Sequence, residues 1–60
     1  MTNAERTWCD NASGRGGSFV STFARACFYA DDGNFAILRP ILAQLMKKYP
    51  TYSKVKGPYV

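Results

Sequence analysis

Between Phe19 and Tyr49 the chain carries two apolar segments with helical spacing, joined by Asp31-Asp32-Gly33-Asn34, and this pair constrains everything else in a sequence of 60 residues. In the first segment Phe19, Phe23, Ala26, Cys27 and Ala30 recur at helical intervals, and Val20, Ala24 and Phe28 widen the stripe. Only Ser21, Thr22, Arg25 and Tyr29 are left for water. In the second, Phe35, Leu38, Leu42, Leu45 and Tyr49 follow alternating steps of three and four, flanked by Ile41 and Met46. Ser18 is placed to cap a helix from Phe19 to Ala30, and Asp31 or Asp32 to cap the next. So short a link predicts that the two helices lie side by side as an αα-hairpin.

Pro40 interrupts the second segment. Proline lacks the backbone donor, crowds the carbonyl four residues earlier and disfavours helical geometry at the preceding residue, so a break or sharp kink is expected at Arg39-Pro40. Pro50 ends the helix at Tyr49. Before Ser18 the run Ser13-Gly14-Arg15-Gly16-Gly17 resists regular structure, which makes residues 1–17 an extended N-terminal arm with Trp8 as its one large apolar side chain. After Pro50, residues 51–60 form a C-terminal strap that lays Tyr52, Val55 and Tyr59 back on the helices. The expected fold is therefore all-α. It is a single small domain over 1–60, with a compact hairpin of two to three helices at 18–50 between arm and tail.

A chain this short buries only about 60% of the surface its unfolded form exposes, so its stability needs help from disulfides, a metal or a partner. Cys9 and Cys27 are the only cysteines and there is no histidine. No zinc-type site can be written from that set without carboxylates. Both cysteines read as free thiols, Cys27 in the core and Cys9 in the arm, with a Cys9–Cys27 bridge as the minority reading. No apolar core of signal-peptide type is found between Met1 and Trp8, and no run approaches the ~20 residues that span a bilayer, so a cytoplasmic location away from membranes is expected.

Catalysis has little to work with. General acid–base and nucleophilic mechanisms need a base beside an acid or nucleophile, and the adjacent Asp31 and Asp32 sit where a helix cap would put them. No catalytic residue, cofactor or metal ligand is assigned, and an enzyme is not expected. The loop Gly14-Arg15-Gly16-Gly17-Ser18 before a helix could cradle an anion, but it lacks the lysine and the preceding strand of a P-loop and reads better as a hinge.

Charge is distributed unevenly. The formal net charge is +4, yet all four acids lie before Gly33 and none follows it, whereas Arg39, Lys47, Lys48, Lys54 and Lys56 do. Tyrosines interleave these cations, which is the composition of a single-strand nucleic-acid platform. An acidic protein surface would fit them equally well. Because aromatic residues and arginine concentrate binding energy in small interfaces, Trp8, Arg39, Lys47, Lys48, Tyr52, Lys54, Lys56 and Tyr59 are the expected partner-binding residues. The apolar surplus of the hairpin also predicts a homo-oligomer, with Phe19, Val20, Phe23 and Phe28 at the contact.

Ala30-Asp31-Asp32-Gly33-Asn34, Leu38-Arg39-Pro40 and Lys48-Tyr49-Pro50 together resemble a pattern of small accessory proteins encoded by bacteriophages and prophages, Ala-Asp-x-x-Asn-x-x-x-Leu-Arg-Pro and then Lys-Tyr-Pro. The resemblance implies a virus-encoded protein that acts in the host cytoplasm on a host protein, as an inhibitor of an enzyme or of an antiviral defence complex. It reaches from Ala30 to Pro50 and names no biochemical role.

Overall fold

In a computed structural model of the chain, residues 1–54 are described, and all the regular structure among them is helical. Helix α1 spans Asn3–Arg15, α2 Ser18–Tyr29, α3 Asp32–Lys48 and the single turn α4 Thr51–Lys54. The all-α expectation holds. The arm does not, because residues 3–15 are a helix.

Thr2 and Glu5 explain why. The Thr2 hydroxyl accepts from the Glu5 N–H at 3.1 Å and the Glu5 carboxylate accepts from the Thr2 N–H at 2.7 Å, a reciprocal capping box that satisfies two otherwise orphaned donors. From that start Trp8, Cys9 and Ala12 fall on one face, and all three are fully buried. Gly14 is tolerated in the last turn. The helix ends at Gly16, whose N–H donates to the Ala12 carbonyl at 2.8 Å.

The tightest pairing is consequently α1 with α2, not α2 with α3 as the sequence predicts. Cys9, Ala12 and Gly16 on α1 meet Val20, Ala24 and Cys27 on α2, and small side chains on both sides let the backbones approach. At Gly16 a Cβ would stand 2.7 Å from the Ala12 oxygen and 3.0 Å from a Val20 methyl, so only glycine fits there. The inward stripe of α2 is therefore Val20, Ala24 and Cys27, with Phe23 packed partly against it; Phe19 and Ala26, which the sequence places in the same apolar stripe, face outward. Gly17, not Ser18, is the N-cap residue of α2, and no side chain caps that end.

Asp31 caps α3 as predicted, accepting from the Asn34 N–H at 2.8 Å. Of the break or sharp kink expected at Arg39-Pro40, the break is absent, since α3 runs through Pro40 without interruption. Pro40 and Ala36 both face solvent, so the carbonyl deprived of its donor is on the side where water can serve it. Phe35 and Leu42 are the buried contacts of α3, with Leu38, Leu45, Met46 and Tyr49 packed around them.

The tail is not an extended strap at its start, because Thr51–Lys54 form a turn of helix that docks on α1. Two α1 side chains hold it: the Trp8 indole Nε1–H donates to the Tyr49 carbonyl at 2.9 Å, and Asn11 Nδ2 donates to the Tyr52 carbonyl at 2.6 Å. The Tyr52 ring meets Trp8 edge-on at 5.8 Å, which bears out the expectation that this tyrosine folds back on the helices. Val55, Lys56, Tyr59 and the rest of the tail lie outside the described residues.

Candidate interaction surface

The predicted binding residues separate into buried and exposed sets. Trp8 is 0% exposed and sits at the centre of the core, so it cannot anchor a partner. Its size, the reason for expecting an anchor, is used inside the molecule instead. Tyr52 is half-buried against Trp8 and Tyr49, with its ring 6.4 Å from the Tyr49 ring, so part of its surface is already used inside the molecule. Of the residues assigned to self-contact, Val20 is buried and Phe23 packs on the core, because α1 covers the α2 face that a hairpin alone would expose. Phe28 is at the margin, and Phe19 is in solvent.

Arg39 is exposed but engaged. Its Nε donates to Glu5 Oε2 at 2.8 Å and its terminal nitrogen Nη2 to Glu5 Oε1 at 2.9 Å, a two-pronged pair across α1 and α3, with the guanidinium 4.8 Å from the Phe35 ring centre. The arginine hydrogen bond holds the Glu5 carboxyl below its ordinary range, against the opposing effect of burial, and raises Arg39 in return. Since Glu5 also closes the capping box, one carboxylate links the start of α1 to the middle of α3.

What remains at the surface is apolar on two helices and cationic at one end. On α2, Phe19 is 63% exposed and Tyr29 84%; with Thr22 and Ala26 they line the outer face. On α3, Ile37 is 72% exposed and Ile41 46%. The sequence puts Ile41 at the flank of the α3 stripe and gives Ile37 no place in it; the signal for their outward turn is the helical spacing they share with Gln44 and Lys48. Lys47 and Lys48 are exposed at the end of α3 and Lys54 at the end of α4, and Lys48 Nζ lies 5.6 Å from the Tyr49 ring centre. Lys56 and Tyr59, also expected in this surface, lie outside the described residues.

The cysteines belong to the core. Both are reduced and buried, and Cys9 is in α1 beside Cys27 rather than in an arm. Burial, then the neighbouring Cys27, pushes the Cys9 thiol up to about 12, and burial also raises Cys27. A thiol held protonated is a poor nucleophile. Among the described residues no cluster of histidine, cysteine, aspartate and glutamate could hold a metal, no helix is long and apolar enough to cross a membrane, and no buried side-chain nitrogen or oxygen lacks a partner.

These features define a small all-α protein built around its N-terminal helix, with apolar side chains displayed on two outer faces. No protein-family model, curated protein or solved structure matches the chain, so the surface itself is what speaks to its role.

Proposed function

We propose that the protein is a virus-type accessory module that binds a larger host protein and inhibits or redirects it, an antiviral defence complex being one such target. The observation that carries this reading is the exposure of Phe19 and Tyr29 on the outer face of α2, two large rings left in water although the core is closed. Aromatic side chains in that position are typical anchors of an interface, and contiguous apolar surface on a small soluble fold marks a contact site. The pattern from Ala30 to Pro50 supports the viral setting. Affinity capture from host lysate with the folded protein should recover a partner in stoichiometric amount, and a Phe19→Ser, Tyr29→Ser variant should lose it. Equal recovery by both proteins, or no partner at all, would count against the reading.

A second reading, a small nucleic-acid-binding protein, is favoured by the exposed Lys47, Lys48 and Lys54. Its affinity for single- or double-stranded DNA would fall steeply with salt. Against it, the Tyr49 and Tyr52 rings that would stack on bases lie against each other, and the Tyr52 ring packs edge-on to Trp8. Absence of binding at low salt removes it.

A further inference from the structure

The outward face of α3 has a pattern of its own. Ile37, Ile41, Gln44 and Lys48 share one stripe by helical spacing, and all four are exposed, while Phe35 and Leu42 hold the helix to the core by another side. Charge is polarised along the same helix, with Asp31 and Asp32 at its start and Lys47 and Lys48 at its end. We propose that this face is a docking site for a second copy of the chain, the two α3 helices running antiparallel about a two-fold axis level with Arg39.

Geometry and charge select that arrangement. In an antiparallel pair the facing residue numbers have a constant sum, so a register that sets Ile37 against the second copy's Ile41 also brings Lys47 level with the second copy's Asp31, and Lys48, which lies in the stripe itself, only one residue beyond. The lysine end of each helix then covers the acidic end of the other, and the helix dipoles oppose favourably. A parallel pair would set lysine on lysine. Arg39 lies at the level of the axis but on the side of α3 away from Ile37 and Ile41, with its guanidinium on Glu5 and Phe35. Like charge is thus absent from the middle of the contact. Pro40 and Ala36 border the stripe and are small enough to let the helices close to the usual ~8–10 Å. The contact is self-complementary, as a two-fold interface must be.

This inference does not depend on the host-binding reading, and its test uses the purified chain alone. Sedimentation equilibrium should show a concentration-dependent rise from 6.7 kDa toward twice that mass. Ile37→Asp should weaken the dimer roughly tenfold or more, as loss of a central contact does, and Lys47→Glu with Lys48→Glu should weaken it in a salt-dependent way. Phe19→Asp should leave it intact, with circular dichroism reporting the fold of each variant. Register is read by mixing Ile37→Cys and Ile41→Cys proteins in a glutathione redox buffer, where the native thiols are shielded by burial. Antiparallel pairing gives the mixed 37–41 disulfide in excess over either homodisulfide, since Cα atoms more than about 7 Å apart cannot be bridged. A wild type that stays at 6.7 kDa to its solubility limit, a dimer broken by Phe19→Asp but not by Ile37→Asp, or an excess of homodisulfide each overturns the proposal.

Discussion

Gly16 and Gly17 are neighbours in sequence with opposite tolerances. At Gly16 the space for a side chain is taken by the Ala12 carbonyl and Val20, both fixed by the α1–α2 seam, whereas around Gly17 nothing lies within 4 Å. Neither has a left-handed backbone, so the difference is one of room. Gly16→Ala should cost about 1–3 kcal/mol, as overpacking does, and Gly17→Ala should stabilise by about 0.4–1 kcal/mol through the unfolded chain. Urea midpoints of the two variants check this, and equal shifts would refute it. The buried thiols make a second prediction at this scale. An unfolded cysteine ionises near 9.0 and native Cys9 only near about 12, so the unfolded state releases its proton first and stability must fall as pH rises between those values. That loss should be smaller in Cys9→Ala, and in the wild type a thiol-reactive probe should label Cys9 no faster than the core opens.

Among the elements, α3 and α1 depart most from what the sequence led one to expect, for different reasons. The proline in α3 is a local rule overridden by position. Its ring and its orphaned carbonyl are on the wet side, and Phe35, Leu42 and Leu45 keep one apolar phase across it, so packing on both sides of the proline lets the helix continue. Pro40→Ala should therefore raise the melting temperature; the ceiling is the ~3 kcal/mol by which proline trails alanine in a helix interior, less the entropy regained by the unfolded chain. An unchanged or lower temperature would mean that water fully compensates the missing bond. In α1 the signals were present and outweighed: Thr2-x-x-Glu5 and the Trp8, Cys9, Ala12 spacing are helical, but five small or flexible residues after Ala12 argued for an arm. The tie between these helices is pH-sensitive. Glu5 titrates below its ordinary 4.5 because Arg39 donates to it, so its contribution is complete above that value and lost as pH falls through the lower folded one. Glu5→Gln should flatten the acid limb of stability, measured by urea denaturation across that range.

At the scale of the whole molecule, the radius of gyration is 10.4 Å, close to the roughly 10 Å of a closed globule of this length. The surplus apolar surface inferred for a hairpin was real for a hairpin; α1 covers much of it, which periodicity within α2 and α3 could not reveal. Helix class, the Asp31 cap and the inward Cys27 were legible because each is decided within a few residues. The partners of Trp8 and the outward turn of Ile37 were not, because they depend on where another helix lies. A chain ending at Lys48 should accordingly lose cooperative thermal unfolding, since Trp8 and Asn11 would be left without the carbonyls they bond, and a sharp melt would show that α1 and α2 suffice. Those two bonds each join residues 41 positions apart, and this has a consequence for how the protein is made. Helix α1 leaves the ribosome before α4, yet its indole has no resting place until Tyr49 and Tyr52 have been added. A product interrupted before Tyr49 therefore displays Trp8 to chaperones and proteases, and the indole is withdrawn only once the segment through Tyr52 has been made.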